Sequence, residues 1–145
     1  MLADAIAQVT GVPDQFTDRE LGTRAVQLVG TQTPSYALDV LGRCLRERSC
    51  EAAGRSGGGL AQALHLINGS TINGKLRGGV LDDLLARDLP PRKVIEELFL
   101  RALSRPPTVQ EQAQWEPLLT AKDKTEAAED LLWVLLNSRE LAFNH

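Results

Sequence analysis

The stretch Ala127-Ala128-Glu129-Asp130-Leu131-Leu132-Trp133-Val134-Leu135-Leu136-Asn137-Ser138 decides how the rest of the chain is read. Its apolar run from Leu131 to Leu136 is unbroken, so no regular element can turn all of it toward one side. A helix that is apolar all round belongs inside a bundle. The run is also far shorter than the ~20 residues a bilayer crossing needs. The expectation is a central helix, buried on nearly all sides, with other helices packed around it.

Working outward, Asp123 with Glu126 supplies a capping pattern at the head of that helix. Ser138 restarts a last turn that carries Leu141 and Phe143. Upstream, Thr108 with Glu111 is a second capping box, opening a helix that carries Trp115 and ends near Leu118-Leu119. Before it, Val94, Ile95, Leu98, Phe99, Ala102 and Leu103 form a wide apolar stripe between Pro90-Pro91 and Ser104-Arg105-Pro106-Pro107. Residues 90–120 therefore read as a helical hairpin. Val80, Leu81, Leu84 and Leu85 mark another helix.

Leu60, Ala63, Leu64 and Ile67 mark one more, stopped by Asn68-Gly69 in the position of a left-handed C-terminal cap. Ser70 then caps a short turn through Ile72 and Leu76. At the N-terminus Leu2, Ile6 and Val9 recur at helical spacing until Gly11 and Pro13. Residues 12–34 read as irregular, with Ala25-Val26-Gln27-Leu28-Val29 as an extended segment or single strand. Ser35 caps a short apolar face through Tyr36, Val40 and Leu41. The fold class expected is all-α: a compact bundle of about six to seven short helices with an irregular N-terminal third.

A chain of 145 residues is about one domain long and hides roughly two-thirds of its unfolded surface on folding. We therefore read residues 1–145 as a single helical domain. Sixteen basic against nineteen acidic residues give a net charge of −3, which is no field for nucleic acid or an anionic membrane. Basic residues thicken only at Arg43, Arg46, Arg48 and Arg55, where Glu47 and Glu51 partly cancel them. This reads as a solvated loop, and a nucleic-acid site there would show steeply salt-dependent binding. No signal peptide or membrane-spanning run is present, so no membrane insertion is expected.

The motifs that carry chemistry are missing: no Cys-x-x-Cys-His, no nucleophile elbow, no phosphate-binding glycine loop. No catalytic residue, cofactor or metal ligand is assigned. Gly57-Gly58-Gly59 reads as a flexible lead-in to a helix. His65 lies in an apolar helical stripe and reads as a partly buried histidine bonded to a backbone carbonyl, since no partner residue sits one turn away. His145 is terminal. The alternative is a polar cleft of Arg24, His65, Asn68 and Asn73, completed by residues absent from this chain; it would make the chain a fragment of a hydrolytic enzyme. An unbroken helix from Cys44 to Cys50 would hold their α-carbons roughly 10 Å apart, beyond the ~7 Å limit of a disulfide. The polar Arg46-Glu47-Arg48-Ser49 permits a turn there, so a small disulfide-closed loop is expected, with two buried thiols as the alternative.

Four stretches together carry a resemblance: Gly22-Thr23-Arg24-Ala25-Val26-Gln27-Leu28; Leu41-Gly42-Arg43-Cys44 with Cys50-Glu51; Ala63-Leu64-His65-Leu66-Ile67-Asn68-Gly69; and the closing Leu135-Leu136-Asn137-Ser138-Arg139-Glu140-Leu141-Ala142-Phe143-Asn144-His145. They resemble the C-terminal part of a domain of unknown function found in large secreted proteins of planctomycetes, usually downstream of a cytochrome c-like domain. The family module extends further on its N-terminal side, so the resemblance implies a C-terminal fragment of a longer multidomain protein. It implies an extracytoplasmic, periplasmic or secreted location, in agreement with a Cys44–Cys50 bridge, and no reaction. The expected role is a non-catalytic structural or interaction module. Its partners would be other domains of the parent or surface proteins, with a link to complex carbohydrate.

Overall fold

The computed structural model describes residues 2–17, 19–28, 33–41, 64–121 and 123–144, the side chains of Thr71, Phe143 and Asn144 excepted. In chain order the elements are α1 (Leu2–Thr10), a 3₁₀ turn (Ala25–Gln27), α2 (Tyr36–Val40), a helical stretch over 64–68, α3 (Ser70–Leu76), α4 (Val80–Ala86), α5 (Pro91–Leu103), α6 (Val109–Thr120), α7 (Lys124–Leu136) and α8 (Arg139–Asn144). The fold is all-α, and no strand occurs among the described residues. Over Ala25–Gln27 the extended segment or single strand expected for residues 25–29 is replaced by a 3₁₀ turn, and Val29 lies outside the described residues. The cause of the turn is the buried carboxylate of Asp4, which accepts from the N–H groups of Ala25 at 2.6 Å and Val26 at 3.1 Å. Two donors that a strand would have offered to a neighbour are taken by a side chain.

The hub is α7. Ala128, Leu131, Leu132, Leu135 and Leu136 lie on its buried side, packed with Val94, Ile95, Leu98, Phe99 and Ala102 of α5 and Leu119 of α6. The helix is not wrapped completely, as the apolar run had suggested. Val134 is 42% exposed and Trp133 half-buried, its indole N–H donating to the Ile67 carbonyl at 3.3 Å. The expectation of burial on nearly all sides fails at those two positions. A helix needs only an apolar stripe to be held.

The punctuation of the C-terminal half follows its sequence. Pro91 takes the first position of α5, where its missing N–H has no partner to lose. Ser104 ends α5 in the left-handed region at φ 56°. At the head of α6 the Thr108 hydroxyl accepts from the Glu111 N–H at 3.2 Å, and the Glu111 carboxylate accepts from the Thr108 N–H at 2.7 Å. Asp123 accepts from the Glu126 N–H at 3.1 Å, and Ser138 from the Leu141 N–H at 3.1 Å. The head of α7 is fastened as well, since Lys124 Nζ donates to the Leu89 carbonyl at 2.9 Å.

Arg105 closes this half as a clasp. Its guanidinium donates to both carboxylate oxygens of Glu111, at 3.0 and 2.9 Å, and to both of Glu140 on α8, at 2.7 and 2.9 Å. It also stands 5.4 Å from the centre of the Phe99 ring. The loop after α5, the head of α6 and the last helix are joined by one planar fork. That fork, chiefly the hydrogen bond from Arg105, holds the Glu111 carboxyl down from 4.5 to about 2. The same fork lowers the Glu140 carboxyl.

The N-terminal half is smaller. Ala3, Phe16, Ala25 and Leu38 form a satellite cluster, joined to the main core through α1, whose Ile6 and Val9 belong to the latter. α1 and α4 meet where Gly79, at φ 58°, lies so close to Thr10 that a β-carbon there would come within 2.5 Å of its carbonyl oxygen. Cys44, Cys50, the arginines from Arg43 to Arg55 and Gly57-Gly58-Gly59 lie outside the described residues.

Two outcomes test this architecture. Leu132→Ala removes a fully buried side chain of the hub and should cost about 2–5 kcal/mol of unfolding free energy in urea, whereas Val134→Ala, two residues on, should stay within about 0.5 kcal/mol of wild type. Because the Glu111 carboxyl is depressed by folding, its contribution is complete above pH 4.5 and is lost as pH falls toward about 2. Glu111→Gln should therefore flatten the decline of the urea midpoint in that window, and Arg105→Lys, which keeps the charge but loses the fork, should flatten it in part.

Candidate functional site

Two places in the structure gather chemistry. The first is a niche between α1, α2, α3 and the 64–68 helix. His65 lines it and is 8% exposed; its Nε2 has no hydrogen-bond partner among the described residues. The bonded backbone carbonyl expected for this histidine is therefore not found at that nitrogen. The ring is fixed from two sides. Tyr36 approaches edge-on, with centroids 5.6 Å apart and planes at 75°. Gly69 lies against the Nδ1 side of the ring, where a β-carbon would come within 2.9 Å of His65 Nδ1 and 2.2 Å of the His65 carbonyl oxygen.

Gly69 is not the left-handed cap that Asn68-Gly69 suggested. Its φ is −64° and it serves as the N-cap of α3. What selects glycine here is the close approach, sealed by a 2.7 Å bond from the Gly69 N–H to the His65 carbonyl. Ser70, expected as the cap, is instead the first residue of α3.

Beside His65 the niche is lined by an ion pair absent from the sequence reading. Lys75 Nζ donates to Asp14 Oδ1 at 3.0 Å and to the Val12 carbonyl at 2.6 Å, with the two side chains 6% and 19% exposed. The pair spans 61 positions of sequence and ties the turn after α1 to the tail of α3. Lysine on the inner side of a short helix, with apolar Ile72 and Leu76 around it, was the available signal. Ser35 completes the polar lining; its hydroxyl accepts from the Leu38 N–H at 3.4 Å as the cap of α2. The remaining walls are apolar, and the free space is about 20 Å³.

The four residues of the polar cleft are not brought together. Arg24 is exposed and lines a separate hollow with Asp4, Gln8 and Thr23. His65 lines the niche. Asn68 and Asn73 are exposed and line neither.

The second place is a groove of about 220 Å³ between the tail of α6 and the head of α7. Its floor is Trp115, Leu118, Ala121 and Ala127, and its rim is Asp123, Glu126 and Asp130. No cation lines it among the described residues, and Lys124 points its ammonium toward Leu89 and Asp88 instead. Among the described residues no group of three or more His, Cys, Asp or Glu side chains is placed to hold a metal ion.

Removing one member of the buried ion pair strands the other. Asp14→Ala should cost about 3 kcal/mol in urea unfolding, and Lys75→Met added to it should recover a good part of that loss. Equal and additive losses would show that the pair does not act as a unit.

Comparisons of the chain with the profiles of known protein families, with curated proteins and with solved structures find no match.

Proposed function

We propose that this chain is a non-catalytic helical interaction module of an extracytoplasmic, multidomain protein that handles complex carbohydrate. The observation that carries the reading is the groove between α6 and α7. It offers an apolar floor with Leu118 48% exposed, ringed by carboxylates that have no cation among the described lining residues. An apolar floor rimmed by polar groups is the composition of an interaction surface. The groove lies between two helices that are held by the core, α6 at its tail and α7 at its Asp123-capped head. A rigid surface loses little freedom on binding, which favours recognition.

The partner that fits presents an apolar anchor beside lysine or arginine, on another domain of the parent or on a surface protein. Its charges steer the approach while the anchor on Trp115 and Leu118 holds it. The likeness of the closing residues to secreted planctomycete domains supports the location. No helix of the described residues is long and apolar enough to cross a membrane.

Zero-length carbodiimide crosslinking in the native cells tests the reading, since it joins carboxylates only to amines in contact. Asp123, Glu126 and Asp130 should crosslink to lysines of a neighbouring domain or protein, and Leu118→Asp should abolish those links while leaving the helical spectrum intact. Crosslinks that avoid all three carboxylates, or that survive Leu118→Asp unchanged, overturn it.

A further inference from the structure

The niche at His65 lies in the other half of the molecule from the α6–α7 groove, and its composition is restrictive. A buried nitrogen with no partner is costly, of order 1–3 kcal/mol. It persists where something supplies the missing bond or where the site serves a ligand. The free space of about 20 Å³ holds one group the size of a water or a hydroxyl. Lys75 in the lining repels a metal ion, and Asp14 paired to it at 3.0 Å cancels the attraction an anion would feel. An imidazole nitrogen is a donor in one tautomer and an acceptor in the other. A hydroxyl satisfies it either way, and can accept from the ammonium as well.

Outside the niche is an open groove of about 420 Å³ that shares Asp14, Phe16, Ser35, Ala37 and Lys75 with it. The groove adds Gln15, Ser70, Gly74 and the Tyr36 ring, which is 73% exposed. The same ring packs in a T-shaped contact with His65, which lines the niche, so the groove's aromatic residue adjoins the niche. An exposed aromatic face among amide and hydroxyl groups suits a neutral ligand with C–H faces and hydroxyl edges.

We propose that this groove binds a neutral saccharide, with the Tyr36 ring as its platform and one sugar hydroxyl seated in the niche against His65 Nε2. In the free protein a water takes the hydroxyl's place. The choice of saccharide over other polyols rests on the carbohydrate reading above; the niche itself does not.

The test is a titration of the whole chain, labelled with ¹⁵N, with cellotetraose, xylotetraose and mannotetraose, and with glycerol in a parallel arm. At least one tetrasaccharide should shift His65 Nε2 and the Gly69 and Gly74 amides saturably at millimolar concentration. Tyr36→Ala, which removes an exposed side chain, and His65→Phe, which replaces the unpaired nitrogen by apolar surface, should each weaken that binding at least tenfold. Saturable shifts from glycerol alone would assign the niche to small polyols and overturn the saccharide site. No saturable shift from any probe, or binding unchanged in both variants, overturns the proposal outright. Leu118→Asp should leave the titration unaltered, so failure here and failure of the α6–α7 docking face are read separately.

Discussion

Everything in the C-terminal half depends on covering one side of α7. Ala128, Leu131, Leu132, Leu135 and Leu136 are almost wholly withdrawn from solvent, and a helix of thirteen residues would be marginal alone. Its stability comes from the apolar face of α5 and the tail of α6, each of which is equally dependent on α7. Because α5 and α6 are joined by a short turn, the same apolar burial that holds α7 also fixes the angle of the hairpin. The polar devices then select one register among those the apolar faces would tolerate. Arg105 does this most directly, since a planar fork meeting two carboxylates on different helices admits few alternative alignments.

The N-terminal half is built differently, and here side chains replace missing regular structure. Asp4 holds the 3₁₀ turn by two of its N–H groups, and Lys75 holds the Val12 carbonyl and Asp14. Both are charged groups drawn inside to satisfy backbone that no helix or sheet partner reaches. Such groups are tolerated when every donor and acceptor is used. His65 departs from this pattern at Nε2, which has no partner among the described residues and sets the niche apart from their other buried side-chain nitrogens and oxygens.

This contrast explains what could be read from the chain. The helices from Val80 onward were legible because each carries its own signals within a few residues: Pro91 at a start, Thr108 with Glu111, Asp123 with Glu126, Ser138 before Leu141. Local signals need no knowledge of the fold. The degree of burial of Trp133 and Val134 was not legible, because it depends on how many neighbours arrive at α7. The Asp4 cap and the Asp14–Lys75 pair were hidden for a related reason. Each joins residues far apart in sequence, and the residue types involved look like ordinary surface charges until the packing is known. The arginine clasp lay between: Glu111 was visible as half of a capping box, while its second role toward Arg105 was not.

The two candidate surfaces differ in what maintains them. The α6–α7 groove is a by-product of how two capped helix ends meet, so its shape follows from the core and would survive changes to the residues lining it. The His65 niche depends on Gly69, which no larger residue can replace without displacing the His65 carbonyl, and on an ion pair that crosses the half. A feature that several unrelated constraints must jointly maintain costs more to keep than one that arises from packing alone. By that measure the niche is the more specialised of the two surfaces, and the groove the more tolerant.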